Sequence, residues 1–342
     1  MATTPAPAFG TAFAPQILVQ RYSEGRWHPA ELTAYGPFSL PPACAVFHYA
    51  QEIFEGFKCY RQPDGRLALF RPERNLARLN ASARRLCMPE MDEKRALADI
   101  ERFVRAVADA VPPPPHTLYI RPCMFARDEV IRVKPASSYV YFVVACVVGD
   151  YFAGDDPRGV RLRTETEYTR AAPGGTGMAK CGGNYAASLA AQARAAAEGF
   201  DQVVWLDARE HRYVEEMGGM NIMFVIDGAL VTPSLDAGTI LAGVTRASLL
   251  ELANHLGIRT EERAISVDEL AAAWQAGRLT ECFACGTAAV ITPIRELVHR
   301  GEVIYRNEGK EPGRLTLELK QRLMDIQFGR ADDPFGWRRI VS

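Results

Sequence analysis

No run of about eighteen apolar residues occurs in this 342-residue sequence, so no membrane-spanning helix is expected. Neither sign of charge is in surplus. Forty Lys and Arg against 41 Asp and Glu leave a formal net charge of −1, which gives no electrostatic footprint for nucleic acid. The opening Met-Ala-Thr-Thr-Pro-Ala-Pro lacks a basic n-region and an apolar h-region, so no secretory leader and a cytoplasmic location are expected. The eight cysteines are scattered along the chain, which argues against a disulfide framework. Cys282-Phe-Ala-Cys285 has no second pair or nearby histidines to complete a zinc site, so it reads as small buried residues on a strand or as a redox pair, and no metal is expected. Internal repeats and low-complexity segments are missing too.

Three nucleotide and hydrolase signatures are also absent. Ala179 precedes Lys180 and Cys181 follows it, so there is no Walker loop. Gly175-Thr-Gly177 lacks the third glycine of a dinucleotide fingerprint, and no G-x-S-x-G elbow occurs.

What is present is ordinary globular composition, 48% hydrophobic and 24% charged, in a chain long enough for two domains. Strands are expected at 17–21, 67–70, 118–125 and 138–148, and helices at 73–87 and 94–111, the second stopped by Pro112 to Pro115. The turn-rich stretch 149–159 reads as the boundary, giving domains 1–149 and 160–342 joined by a loop at 150–159. Beyond it, helices are expected at 185–198, 245–256, 266–275 (opened by the capping box Ser266-Val-Asp-Glu269) and 315–328. Strands are expected at 202–206, 212–216, 221–226, 229–232 and 279–284, with Asp227-Gly228 as a hairpin turn. The lack of a βαβ rhythm makes the fold class α+β, that is, mixed α/β.

The chemistry concentrates in Ala171-Ala-Pro-Gly-Gly-Thr-Gly-Met-Ala-Lys-Cys-Gly-Gly-Asn-Tyr185, where a lone lysine lies between glycine pairs. Glycine lets the backbone approach a bulky group closely, and a lysine amine forms Schiff bases with carbonyl substrates or pyridoxal phosphate. That cofactor also demands an anion for its ring nitrogen and donors for its phosphate. Glu215-Glu216-Met-Gly-Gly-Met-Asn221 offers the anion. Gly243-Val-Thr245, opening a helix, and Gly286-Thr-Ala288 offer donors. These have plain structural alternatives: a glutamate pair at a strand end is usually solvated, and Gly-Val-Thr before a helix is usually a simple cap.

Taken together and in order, these motifs resemble those of the branched-chain amino acid aminotransferases of pyridoxal-phosphate fold type IV. The resemblance rests on Phe54-Glu-Gly-Phe-Lys58, Arg71-Pro-Glu-Arg-Asn-Leu-Ala-Arg78, Tyr119-Ile-Arg-Pro122, Gly174-Gly-Thr-Gly177, Lys180-Cys-Gly-Gly-Asn-Tyr185, Glu216-Met-Gly-Gly-Met-Asn221, Gly243-Val-Thr-Arg246 and Gly286-Thr-Ala-Ala289. It implies a small N-terminal α/β domain, a larger C-terminal pseudobarrel domain and pyridoxal 5′-phosphate as cofactor. It implies amino and keto acids as small-molecule partners, no nucleic acid or membrane partner, and a homodimer. Lys180 would be the catalytic Schiff-base lysine, Glu216 the partner of the ring nitrogen, and Tyr185 the neighbour of the ring hydroxyl. Arg78, Val244, Thr245 and Thr287 would hold the phosphate. Thr287 and Ala288 would meet the substrate carboxylate, and Phe54, Tyr119 and Tyr151 would form an aromatic pocket with Arg121 beside it. Tyr49, Ile131 and Val133 would reach the partner's site, with Phe13 at the N-terminal edge of the pocket.

Departures from the family pattern are Gly219, where some members carry threonine, Ala289-Val-Ile-Thr292, which lacks a C-x-x-C, and the loop Asp128-Glu-Val-Ile-Arg132. The implied reaction is reversible amino transfer between L-leucine, L-isoleucine or L-valine and 2-oxoglutarate. Alternatives are a fold-type-IV transaminase for D-amino acids or amines, a lyase of the aminodeoxychorismate type, and a non-enzyme, either a cofactor-binding or a purely structural protein.

Overall fold

The computed structural model describes residues 10–149 and 158–341. Tyr151 and residues 150–157 of the expected linker lie outside them. Two compact units divide the chain, Met1–Tyr151 with Ala179–Gly182 and Asp325–Ser342, and Phe152–Met178 with Gly183–Met324. The short Lys180 segment therefore clusters with the first unit.

The first unit is a nine-stranded antiparallel sheet, ordered Arg338–Val341, Leu67–Phe70, Phe57–Arg61, Thr117–Ala126, Tyr139–Val148, Gln16–Ser23, Arg26–Trp27, with Glu31–Ala34 beside Gln16–Ser23 and Glu52–Phe54 beside Thr117–Ala126. The helices Pro72–Arg85 and Glu93–Ala106 pack Leu76, Leu79, Ala83, Ile100 and Phe103 against Leu118, Ile120 and Met124 in one core. Side chains alternate along a strand, so Tyr119 and Arg121 project from the face opposite the helices. Arg71 sits in the left-handed region at the start of the Pro72 helix, with Pro72 in its first turn.

In the second unit six strands close on themselves. Val214–Met217, Gln202–Leu206, Val160–Thr164, Val290–His299, Leu279–Gly286 and Met220–Ile226 pair in that order, and Met220–Ile226 pairs back to Val214–Met217. This ring is the expected pseudobarrel. Val204 and Leu206 enter its main core, whereas Val203 and Trp205 face the helix Leu189–Ala197 through Ala191 and Ala195. Asp227 (φ 50°) and Gly228 (φ 73°) make the two-residue turn that their sequence calls for.

Differences from expectation have local causes. The helix expected over 185–198 is interrupted into Gly182–Ala186 and Leu189–Ala197, where the Ser188 hydroxyl donates to the Tyr185 carbonyl at 2.6 Å and competes with the helical ladder. The helix expected to reach 111 ends at Ala106 and gives way to a 3₁₀ turn, Ala108–Ala110. The strand Val290–His299 carries Pro293, a residue that argues against a central strand. Among the described residues, no helix is long and apolar enough to cross a membrane and no side-chain cluster could hold a metal ion. Cys282 and Cys285 are buried on the strand Leu279–Gly286, the plainer of their two readings.

Candidate active site

In the first unit the helix Pro72–Arg85 turns a buried polar strip toward Lys180. Asn75, Arg78 and Ser82 share that strip because residues three, four and seven apart fall on one helical face. Glu55, fully buried, takes Arg78 in a forked pair, Nε to Oε1 at 2.7 Å and Nη2 to Oε2 at 2.9 Å. Asn75 Nδ2 at 2.8 Å and the Gly56 amide at 3.1 Å complete its shell. Burial alone would push the Glu55 carboxyl up, but Arg78, Lys180 and Asn75 outweigh it and hold it below the ordinary range.

Lys180 Nζ lies 4.8 Å from the centre of the Phe54 ring. The same ring carries the Arg121 guanidinium at 4.7 Å, and Arg121 Nη2 donates to the Tyr119 hydroxyl at 3.1 Å. A Cβ at Gly56 would fall 1.7 Å from that hydroxyl, so only glycine lets Tyr119 lie there. Burial first, then the positive charges of Arg78 and Arg121, push the Lys180 amine down to about 8, with Glu55 and Tyr119 opposing. The neutral amine is the nucleophile. In cofactor-free protein, an amine-directed reagent such as trinitrobenzenesulfonate should therefore label Lys180 with a pH midpoint near 8; a midpoint at the ordinary 10.5 would contradict this environment.

The second unit gathers its groups at one end of the barrel. Glu216, Asn221 and Cys285 are in register on three adjacent strands. Glu216 Oε1 accepts from the Leu241 amide at 2.7 Å, and Asn221 Nδ2 donates to the Leu241 carbonyl at 3.0 Å. The two side chains thus hang the segment leading to Gly243 from the strand ends. Gly243 is the N-cap of the helix Val244–His255, and no side chain caps that terminus. Its leading amides form the kind of N-terminus that takes an anion. A Cβ at Gly243 would fall 2.0 Å from Asn221 Oδ1, so a side chain there would displace the Asn221 amide that holds Leu241. Thr287 and Ala288 follow Cys285 and Gly286 in the turn to Val290. Tyr185 lies beside Gly219, with its ring 3.3 Å from the place a Cβ would take.

Arg170, nearly buried, pairs with Glu216 Oε2 at 3.2 Å through Nε and donates to the Gly177 carbonyl at 3.1 Å and to the Thr239 carbonyl. Glu215, the strand neighbour, points elsewhere and shares a 2.5 Å hydrogen bond with the Thr239 hydroxyl. Burial, with Glu216 and Asp207 adding to it, pushes its carboxyl up to about 7 against Thr239 and Arg170.

Phe13 bridges Cys146, which is in register with Tyr119, and stacks on Tyr35 at 5.0 Å. Tyr49 is partly buried against the core of its own unit. Ile131 and Val133 are 71% and 82% exposed in a loop that Asp128 anchors through Ser137 and Ser138. Glu55, Asn75, Ser82 and Arg170 are functional neighbours that the motif reading did not assign. The one signal for two of them, Asn75 and Ser82, was the polar strip on a helix face otherwise apolar.

A half-buried amine of lowered basicity, a carboxylate fixed by an arginine and an amide, and an uncapped helix terminus are the groups that pyridoxal 5′-phosphate requires, so the residues present fit that cofactor. Comparison with known proteins bears on the same point. Residues 52–297 match the amino-transferase class IV family. The chain is 47% identical to branched-chain-amino-acid transaminase 1 of Bacillus subtilis over 96% of its length and 92% of that protein. It is 48% identical to the probable branched-chain-amino-acid aminotransferase of Streptomyces coelicolor over 98% of this chain and 93% of that one. Among solved structures, the Escherichia coli branched-chain amino acid aminotransferase superposes with a TM-score of 0.79 at 28% identity, covering 96% of this chain and all (100%) of that one. A further branched-chain amino acid aminotransferase, solved with pyridoxamine 5′-phosphate, gives 0.79 at 26% identity, covering 97% and 100%.

Proposed function

The chain belongs to the class IV aminotransferases and is a branched-chain-amino-acid aminotransferase with pyridoxal 5′-phosphate as cofactor; from that premise we propose how its residues divide the work. The bound cofactor supplies an electron-withdrawing ring on which an amino group is exchanged for a carbonyl oxygen. Lys180 Nζ would be the point of attachment and, once displaced, would take the substrate α-proton and deliver it to the carbon on the other side of the transferred nitrogen. Its lowered basicity suits both duties near neutral pH. Glu216 holds a negative charge against the ring nitrogen and so keeps that nitrogen protonated. Arg78, fixed in its fork by Glu55, would supply a cation for the phosphate, and the Val244 and Thr245 amides and the Thr287 hydroxyl would supply donors for it. Tyr185 orients the ring hydroxyl, and Thr287 with Ala288 receives the substrate carboxylate.

Phe54 and Tyr119 offer an apolar face for an aliphatic side chain, and Arg121, stacked on both rings, offers a cation for a second carboxylate. One pocket can then take leucine, isoleucine or valine and, in turn, 2-oxoglutarate. Tyr151 is assigned to the same pocket by resemblance alone. Lys180 carries the reading, as a half-buried, desolvated amine set on an aromatic ring among two arginines and a buried carboxylate. The test is a panel of amino donors with 2-oxoglutarate as acceptor. Leucine, isoleucine and valine should exceed alanine in kcat/KM by about tenfold or more, the worth of one to two buried methylenes. Preference for D-leucine or a simple amine would overturn it.

The active unit in this reading is a homodimer. Phe47, Ile131 and Val133 stand exposed on the first unit, and such apolar groups favour burial against a partner. Tyr49, Ile131 and Val133 would border the partner's site across that contact, with Phe13 at the N-terminal edge of the pocket. Mixing Lys180→Ala with Tyr49→Ala subunits tests the sharing. A hybrid more active than either parent supports it, and no recovery after proven exchange places Tyr49 in its own chain's site. A cytoplasmic location fits eight cysteines that are all free thiols, Cys87 among them exposed, since a reducing compartment keeps such groups unpaired.

A further inference from the structure

The established chemistry gives Lys180 its task but not its position, and a four-carbon side chain on a glycine-rich loop has many places to go. The loop is tied down at three successive points. The Lys180 amide donates to Ser82 Oγ at 2.9 Å, and the Lys180 carbonyl accepts from the Phe54 amide at 3.0 Å. The Gly182 amide donates to Glu52 Oε1. Two of these ties are made by side chains that no step of amino transfer uses.

We propose that Ser82 and Glu52 are positioning residues that fix the backbone on both sides of Lys180 and so hold its amine over the Phe54 ring. Ser82 is 1% exposed on the core-facing side of its helix, next to Ala83. Alanine would suit a buried helical position better, since serine has lower helix propensity and its hydroxyl must be hydrogen-bonded when buried. The Lys180 amide is the partner that accounts for it. Glu52 is half-buried, and burial raises its carboxyl above the ordinary range, against the Gly182 amide and Arg121. A Cβ at Gly182 would fall 2.0 Å from Glu52 Oε1, so the carboxylate lies against that glycine's Cα and explains why no side chain is present there. Both anchors stand on regular elements, the helix Pro72–Arg85 and the strand Glu52–Phe54, which is paired to Thr117–Ala126. Rigid elements hold a reacting group more closely than loops do. Phe54, two residues after Glu52, supplies both the third tie and the ring under the amine, so one short strand sets backbone and side chain together.

The inference rests on Lys180 as the attachment point, and the test separates the two. Holoenzymes of wild type, Ser82→Ala, Glu52→Ala and Glu52→Gln are reduced with borohydride and peptide-mapped. Their visible cofactor band is titrated against pH, and kcat and KM for leucine are measured. Both alanine variants should lower kcat by about 10- to 100-fold, the cost of misplacing a reacting group by about an ångström, while KM moves less than about threefold. The midpoint of the band should shift by about half a unit to one unit, the equivalent of one hydrogen bond. Glu52→Gln, whose amide oxygen still accepts from Gly182, should restore both. If Ser82→Ala does not fold, the Glu52 pair decides alone. Trapping at Lys180 with unchanged kcat and unchanged midpoint in the folded alanine variants overturns the positioning role and leaves the functional reading intact. Trapping at another lysine overturns both.

Discussion

Replacing Lys180 by alanine is expected to remove nearly all transamination, with kcat for leucine down by more than about 10²-fold, because the variant loses the attaching amine and the group that moves the α-proton at once. The environment makes the loss specific to this lysine. Lys58, a buried lysine, lies in the strand Phe57–Arg61, whereas Lys180, half-buried, has its amine over Phe54, with desolvation and two arginines pushing it down to about 8. Added methylamine should restore a small part of the proton-transfer rate without restoring attachment. Retention of more than about a tenth of wild-type kcat would remove Lys180 from the centre of the account.

The second large effect is expected at Glu216. Glu215 and Glu216 are strand neighbours, and neighbours on a strand point to opposite faces. Only Glu216 is gripped by Arg170 and the Leu241 amide beside the uncapped Gly243 terminus. Glu216→Gln should slow the reaction of the loaded enzyme with leucine by about 10²- to 10³-fold, the scale for losing one preorganised electrostatic group. Glu215→Gln should stay within about threefold of wild type. Its carboxyl, pushed up to about 7, is already half protonated at neutral pH, and glutamine can keep the hydrogen bond to Thr239. Stopped-flow measurement of the half-reaction decides. Equal losses, or a larger loss at Glu215, would reverse the assignment.

The fold was legible where one signal ruled. Leu67–Phe70 and Ala229–Thr232 have the bounds that their apolar runs mark, and Ser266 accepts from the Glu269 amide as its capping box requires. Legibility failed where tertiary pairing overrode local preference, as in Phe57–Arg61, a strand with lysine and arginine in it, and Val290–His299, a strand with an interior proline. At the site, the motifs marked Lys180 and Glu216, whose residue types are dictated by chemistry. They did not mark Glu55, Arg170, Ser82 or Glu52. Those residues act through contacts that reach far along the chain, 23 positions between Glu55 and Arg78, 98 between Ser82 and Lys180 and 130 between Glu52 and Gly182, and sequence spacing carries no trace of such pairings.

The most direct test mixes holoenzyme with L-leucine and no acceptor. The account predicts one equivalent of 4-methyl-2-oxopentanoate per subunit, loss of the visible cofactor band in step with it, no ammonia, and return of the band when 2-oxoglutarate is added. Release of ammonia, or a band that D-leucine discharges and L-leucine does not, would contradict it.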